Sequence, residues 1–353
     1  MNINELKTLC TLCGTSGREH AVRDYILGEL NKAGVPESAV TVDRLGNVLV
    51  HITGTKRPVN KVLFTAHMDE VALMVTDLNA DGTLSFGAVG GINAAALIGR
   101  QVLVGRKQIP GVIGTKPVHH LSRAERTQPA DISALYCDIG TANQAETAQL
   151  VSRGDVIYFD TEPTEFGDGS FSAKAIDDRF GCLILLDLIR EMTAHGAEYD
   201  ADFAFVVQEE VGLRGSGVAA NAVQPEIAVI FEATTAADLP DSHGAERVCE
   251  LGRGAVISFI DGRTVYDKAL CDHAVACCEK NGIPWQTKTK IAGGNDAGAI
   301  QHAANGVRVL AVSVPCRYLH APVSVIRLSD AEACEQLARL LMQTLRLDFE
   351  GEL

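Results

Sequence analysis

Two histidines and a group of carboxylates stand directly after short apolar runs, and their types suit metal-ion chemistry. The run ending at Ala66 delivers His67 and Asp69, the run ending at Val207 delivers Gln208, Glu209 and Glu210, the run ending at Phe231 delivers Glu232, and the run ending at Val314 leads to His320. Between them, Asp177 and Asp178 occupy the loop that opens a helical segment. Ligands of open α/β sheets bind beyond the carboxyl ends of the strands, so these side chains are expected to converge on one sheet edge. Without a cation, so many carboxylates would repel one another, raise their own pKa values and cost stability. Histidine with carboxylates and no thiolate suits Zn²⁺, Co²⁺ or Mn²⁺ better than a structural zinc. The donors are too many for one ion. A two-metal site needs a bridging carboxylate, a histidine and a carboxylate at each ion, and a shared water. Glu209 and Glu210 are consecutive, and an extended backbone sends neighbouring side chains to opposite sides. One can then ligate while the other faces the water as a general base. Asp69, two residues after His67 and on the same side, is placed to accept the imidazole N–H and fix the ring.

The elements that must position these residues alternate between helical and strand texture. Ser16 with Glu19 reads as a capping box ahead of Val22, Tyr25, Ile26 and Leu30, a helix closed by Gly34. Strands are expected at 48–52 and 61–66, then at 203–207, 227–231, 256–259 and 309–314, with a helix over 178–192. A last helix opens on a second capping box, Ser329 with Glu332, and carries Leu337, Leu340, Leu341 and Leu345 on one face. Residues 71–163 differ: short β-like runs, many glycines, a polar stretch from His119 to Asp131, and at most one helix near 144–151. The reading is an α/β catalytic domain formed by residues 1–70 and 164–353, interrupted by a small β-rich domain at 71–163.

Composition removes several classes of partner. Across 353 residues, 45 Asp plus Glu oppose 31 Lys plus Arg, and a formal charge of -14 works against nucleic acid and anionic membranes. No run approaches the ~20 apolar residues of a membrane span, and the opening MNINELKTLC lacks a signal-peptide pattern. A cytoplasmic protein is expected, with its ten cysteines as reduced thiols. Cys10 and Cys13 have no second CxxC to complete a zinc site and read as helix packing, as do Cys277 and Cys278. The run Gly212–Gly217 lacks the order of a phosphate loop and follows two glutamates that would repel phosphate. No GxSxG elbow is present, and His119 and His120 read as solvated loop residues.

The motifs His67-Met68-Asp69-Glu70, Ala175-Ile176-Asp177-Asp178-Arg179-Phe180-Gly181, Gln208-Glu209-Glu210-Val211-Gly212, Gly293-Gly294-Asn295-Asp296-Ala297 and Arg317-Tyr318-Leu319-His320-Ala321-Pro322 resemble the tetrahedral (TET) family of dinuclear metallo-aminopeptidases, which includes glutamyl and leucyl aminopeptidases. Thr15 to Glu19, Gly111 to Pro117 and Asp138 to Gly140 also look like that family, so the match spans nearly the whole chain. The resemblance implies a mixed sheet with helices on both faces, interrupted by a β-barrel-like insert that helps form dimers, six of which build a hollow tetrahedral dodecamer. It also implies that His67 and Glu232 complete one metal site, Glu210 and His320 the other, with Asp177 bridging and Glu209 as the base. The two ions would be Zn²⁺ or Co²⁺ first, with Mn²⁺ as the third choice, and the substrates short peptides losing their N-terminal residue. Two positions depart from the family: Glu232 stands where Asp is more frequent, and Asp178 where Asn is frequent. Asp178 is expected to turn outward, the alternative being a modifier beside the site. The competing functions are a related dinuclear deacylase or carboxypeptidase, a glycosidase, and a non-catalytic assembly protein. Glycoside hydrolysis needs two free carboxyl groups flanking a sugar bond, and here the carboxylates are committed to metal.

Overall fold

The two largest hydrophobic cores among the described residues correspond to the two textures of the sequence. The structure, a computed structural model, describes residues 1–123 and 131–345. Seven positions of the polar stretch between His119 and Asp131 lie outside the described residues. Contacts divide the chain into a larger unit, Met1–Asp69 with Pro163–Leu319 and Ser324–Leu353, and a smaller one, Glu70–Glu162 with His320–Val323.

The larger unit begins with helices α1 (Ile3–Thr11) and α2 (His20–Lys32) and strands β1 (Val40–Val42), β2 (Val48–Ile52) and β3 (Val62–His67). The smaller unit follows, with strands β4 (Ala72–Leu78), β5 (Leu84–Val89), β6 (Gln101–Val104), β7 (Ile109–Thr115), β8 (Leu135–Asp138) and β9 (Val156–Phe159), and the short helix α3 (Gln144–Thr147). The chain then returns with β10 (Thr164–Phe166), β11 (Ser170–Ala173), α4 (Ile176–His195), β12 (Ala201–Val206), α5 (Arg214–Val223) and β13 (Ile227–Thr235). It ends with β14 (Ala255–Ile257), α6 (Lys268–Asn281), β15 (Trp285–Gln286), α7 (Ala297–Ile300), β16 (Arg308–Cys316), β17 (Ser324–Arg327) and α8 (Leu328–Thr344).

Eight strands form a mixed sheet in the order β1-β2-β12-β3-β13-β16-β14-β15. Its centre, β12-β3-β13-β16, is parallel throughout. Parallel strands are covered on both faces, and β3 and β12 are accordingly buried at every position. Phe64 on β3 stacks with Phe203 on β12 (5.5 Å between ring centroids) and with Phe231 on β13 (6.4 Å), tying the central strands across one layer. Helix α4 packs on β3 and β13 with α1, α2 and α8 around it, while α5 pairs with α7 and packs on β12 and β3. The expected α/β class, mixed sheet and helical layers are all present. So is the β-barrel: β4-β5-β8-β7-β6-β9 closes on itself around Leu73, Val75, Leu84, Val102, Val104 and Ile157.

Register explains why the chemistry collects at one edge. Residue 67 of β3 lies beside Val206 of β12, and β13 pairs Ile230 with Thr65, a register that sets Glu232 level with His67. Several expectations shift in detail. The helix near 144–151 is only Gln144–Thr147, and α8 opens at Leu328 with no side-chain cap, so Ser329 and Glu332 make no capping box. Helix α2 starts at His20, and neither Ser16 nor Glu19 caps it in the expected way. Both side chains are engaged elsewhere, Ser16 by Asp69 and Glu19 by the amides of Gly17 and Gln208.

Candidate metal centre

His67 is the last residue of β3 and is buried. Its Nδ1 donates to the backbone carbonyl of Asp69 (3.1 Å), with the Asp69 carboxylate further off at 3.5 Å, so the carbonyl rather than the expected carboxylate is the nearer partner. Nε2 is left facing Asp177 Oδ1 at 3.4 Å without a hydrogen bond. An imidazole with one nitrogen fixed by a carbonyl and the other bare is the arrangement a metal ligand takes. Burial pulls the His67 pKa down, but the contacts with Asp177 and Asp69 and the charge of Glu209 outweigh it, and the imidazole is held well above its ordinary value.

Asp177 sits at the start of α4, where Asp177 and Asp178 leave helical geometry and the bond between them is cis. Glu232 lies inside β13 rather than after it, because β13 continues beside the nine-residue β16 as far as Thr235. Its Oε2 is buried and makes no hydrogen bond. One ligand atom each from His67, Asp177 and Glu232 lies within 4.8 Å of the others. Burial, reinforced by the charges of Glu209 and Asp177, pushes the Glu232 carboxyl well above the carboxylate range.

Glu209 and Glu210 follow β12 in a turn, not an extended segment. Gln208 has a left-handed backbone (φ 57°), and the Glu209 carbonyl accepts from the amides of Gly212 and Leu213. The two carboxylates therefore do not diverge: each offers an atom that groups with His67 within 4.8 Å. Burial pushes Glu209 well above its ordinary value, Asp296 and Glu210 adding to the rise while His67 opposes it. Five of the seven expected site residues (His67, Asp69, Asp177, Glu209 and Glu232) are thus buried in the larger unit, and Glu210 joins them half-buried. His320, four residues beyond the end of β16, belongs to the His320–Val323 run of the smaller unit.

The residues fit a cation by their own chemistry. Two buried polar atoms, His67 Nε2 and Glu232 Oε2, lack hydrogen bonds, which buried polar groups rarely tolerate. Burial pushes the carboxyls of Glu209 and Glu232 upward, so these two ionise only reluctantly in this setting. A thiolate ligand is not on offer. Cys182 donates its Sγ–H to the His67 carbonyl (3.2 Å), and burial with the nearby Asp178 charge keeps the thiol far above its ordinary pKa.

A family model for the M42 glutamyl aminopeptidases matches residues 46–337. The chain belongs to that family. It is 35% identical over 325 residues to a putative aminopeptidase of Acetivibrio thermocellus, covering 92% of this chain and 93% of the relative. It is 30% identical to the glutamyl aminopeptidase of Lactococcus lactis over 99% of this chain and 98% of that one. Among solved structures, the TET1 peptidase of Pyrococcus horikoshii, described as able to assemble into a tetrahedron or a large octahedral shell, superposes with a TM-score of 0.83 at 33% identity, covering 98% of this chain and 99% of that one. This M42 chain is therefore a peptide hydrolase of the aminopeptidase type, and metal dependence comes with the family.

One residue of this M42 centre is placed against the first expectation, and two escaped the sequence reading. Asp178 does not turn outward: it is fully buried, its Oδ2 accepting from the His67 amide (3.1 Å) and its Oδ1 from the Gly181 amide (2.9 Å). Arg179, also fully buried, donates to the carbonyls of Met68 (2.9 Å), Leu9 (2.7 Å), Leu12 (3.1 Å) and Gly14 (3.2 Å). Asp296, whose place in the Gly293–Ala297 motif gave it no role of its own, is buried with an unbonded Oδ1, and burial raises it to about 6. A buried charged residue needs long-range partners, and those partners are not adjacent in sequence.

Proposed function

We propose that this chain removes N-terminal residues from short peptides, with two divalent cations per subunit. His67 and Glu232 would hold one, Glu210 and His320 the other, and Asp177 would bridge them. The grouping of His67, Asp177 and Glu232 within 4.8 Å, beside Glu209 and Glu210, is the observation that carries the reading. His320 enters the proposal through its place in the Arg317–Pro322 motif. Arg317, three residues before it, is anchored by a bidentate pair with Asp238 (2.6 and 2.7 Å). The all-nitrogen-and-oxygen donor set favours Zn²⁺ or Co²⁺, with Mn²⁺ also compatible. Bound there, such cations would polarise the scissile carbonyl and lower the pKa of an attacking water. Glu209, buried beside His67 and Glu210, would serve as the general base, its carboxylate accepting a proton from the attacking water and passing it to the leaving amine. Asp69 fixes the His67 ring and the backbone of the two glutamates.

The remaining readings follow from the relatives. Dimers assembling into a tetrahedral dodecamer belong to the same proposal; the tetrahedron described for the P. horikoshii TET1 peptidase and the dodecamer described for PhTET1-12s support the tetrahedral form. Among the described residues no helix is long and apolar enough to cross a membrane, and a cytoplasmic setting is part of the same proposal. The test is Glu209→Gln. Turnover of aminoacyl p-nitroanilides should fall by about a thousandfold, with metal content unchanged and N-blocked analogues refused by the unmodified enzyme. Near-normal turnover in the variant, or activity confined to blocked substrates, would overturn the proposal.

A further inference from the structure

The backbone amides of Gln208, Glu209 and Glu210 are three consecutive donors, and each is received by a carboxylate from elsewhere in the chain. Glu19 Oε1 accepts from Gln208 (3.1 Å), Asp69 Oδ1 from Glu209 (3.0 Å) and Asp69 Oδ2 from Glu210 (3.2 Å). Successive amides arranged around a left-handed residue form a concave anion-binding surface, and Gln208 supplies that residue here. The two carboxylates are held in turn by the segment before α2: Ser16 Oγ donates to Asp69 Oδ2 (2.6 Å), and the Gly17 amide donates to Glu19 Oε1 (2.7 Å). The Arg18 amide closes a turn onto the Thr15 carbonyl (2.8 Å), and Gly17 takes the left-handed conformation (φ 77°) that this turn requires. Arg179, two residues from Asp177, anchors the segment through the Gly14 carbonyl.

From this chain of contacts we propose that Ser16 is a positioning residue for Glu209 and Glu210, acting through Asp69. The Ser16 hydroxyl orients the Asp69 carboxylate so that both its oxygens meet the glutamate amides, which fixes where the two side chains emerge. This explains why Ser16 and Glu19 do not make the capping box their spacing suggests: both are spent on the catalytic turn. The inference rests on the assignment of Glu209 as base and Glu210 as ligand, and the experiment separates the two.

Ser16→Ala and Ser16→Thr are compared with the unmodified full-length chain and with Glu209→Gln. Co²⁺ alone is titrated by its visible absorption against a competing chelator, and kcat and KM are measured on an aminoacyl p-nitroanilide. Partners of metal ligands cost 10–100-fold in affinity or activity when lost. Ser16→Ala should therefore weaken Co²⁺ binding and lower kcat by about tenfold, with KM nearly unchanged and the metal-free melting temperature close to that of the unmodified protein. Ser16→Thr, which keeps the hydroxyl, should recover both. Unmodified Co²⁺ affinity and kcat in Ser16→Ala, while Glu209→Gln is inactive with full metal, would overturn this inference alone. An active Glu209→Gln would overturn both. A threonine variant as impaired as the alanine would also overturn it, since bulk rather than the hydroxyl would then be responsible.

Discussion

Replacing Arg179 by Met tests whether a buried cation holds the N-terminal segment against the centre. The guanidinium is fully buried and donates to four carbonyls, none of them in its own helix, at 2.7 to 3.2 Å. Two of those carbonyls, Leu9 and Leu12, lie at the C-terminal end of α1, where backbone acceptors are left over and a positive charge meets the negative end of the helix dipole. A hydrogen bond from a charged donor is worth about 1.5–3 kcal/mol net, so four would sum to roughly 6–12 kcal/mol. Burying the guanidinium costs several kcal/mol of that. Methionine fills a similar volume, removes the desolvation cost with the charge, and leaves the carbonyls short of a donor. The balance is a loss of about 4 kcal/mol. In a unit of this size 1 kcal/mol corresponds to about 2–4 °C, so the metal-free melting temperature should drop by roughly 10 °C. Scanning calorimetry at matched protein concentration measures it, with Arg179→Lys expected between the two because an ammonium has three donors and no fork. A drop below about 3 °C in Arg179→Met would mean that these contacts do not organise the segment, and the account of its anchoring would fail.

Two further outcomes follow from local geometry. A Cβ at position 181 would lie 2.5 Å from both oxygens of the buried Asp178 carboxylate, and overpacking of about 1–3 kcal/mol exceeds the ~1 kcal/mol that Ala gains over Gly in a helix. Gly181→Ala should melt lower and bind Co²⁺ more weakly, because Asp178 must shift off the His67 amide; a higher melting temperature would contradict the placement of Asp178. Asp238 is opposed by burial, but the Arg317 guanidinium outweighs that and holds its carboxyl below the ordinary range. A depressed folded pKa contributes stability that is present above the unfolded value and lost as pH falls through the folded one. Asp238→Asn should thus be less stable by about 1 kcal/mol near neutral pH, with the gap closing below about pH 4; urea denaturation at pH 7 and pH 3 reads the difference.

What could be read from the sequence was whatever local order dictates. Apolar runs ending in His67, Glu209 and Glu210 marked strand ends, and a parallel sheet brings such ends to one edge by register alone. The β-rich insert showed in the glycine-rich, helix-poor texture of residues 71–163, and its barrel form came from the family resemblance. What could not be read depended on distant partners. Asp178 looks solvent-bound by type, yet its acceptor role is set by the His67 amide 111 residues away, and Ser16 is taken from its cap by Asp69, 53 residues on. Glu232 appeared to follow a strand because the charge ends the apolar run. Pairing with β16 carries the strand past it, since backbone pairing does not stop where hydrophobicity does.

The carboxylates of the centre fall into two kinds, and the difference bears on how metal binding and catalysis are kept separable. Asp69 is deeply buried, yet the His67 contact, the Ser16 hydroxyl and the Glu209 amide together overcome the burial and hold it below the ordinary carboxylate range. The hydrogen bonds it accepts from the Glu209 and Glu210 amides brace the turn that carries both glutamates without any cation. Glu209 and Glu232 are biased the other way, upward, by burial, with the charges of Asp296 and Glu210 adding to the rise at Glu209 and those of Glu209 and Asp177 at Glu232. On the proposed reading their ionisation waits on the incoming cations, whose charge reverses the local preference. Rigidity is thus supplied by hydrogen bonds that do not depend on metal, and reactivity by groups that do. Loss of metal should silence the enzyme while leaving the turn in place, whereas loss of the Asp69 network should blur the geometry even at full metal occupancy.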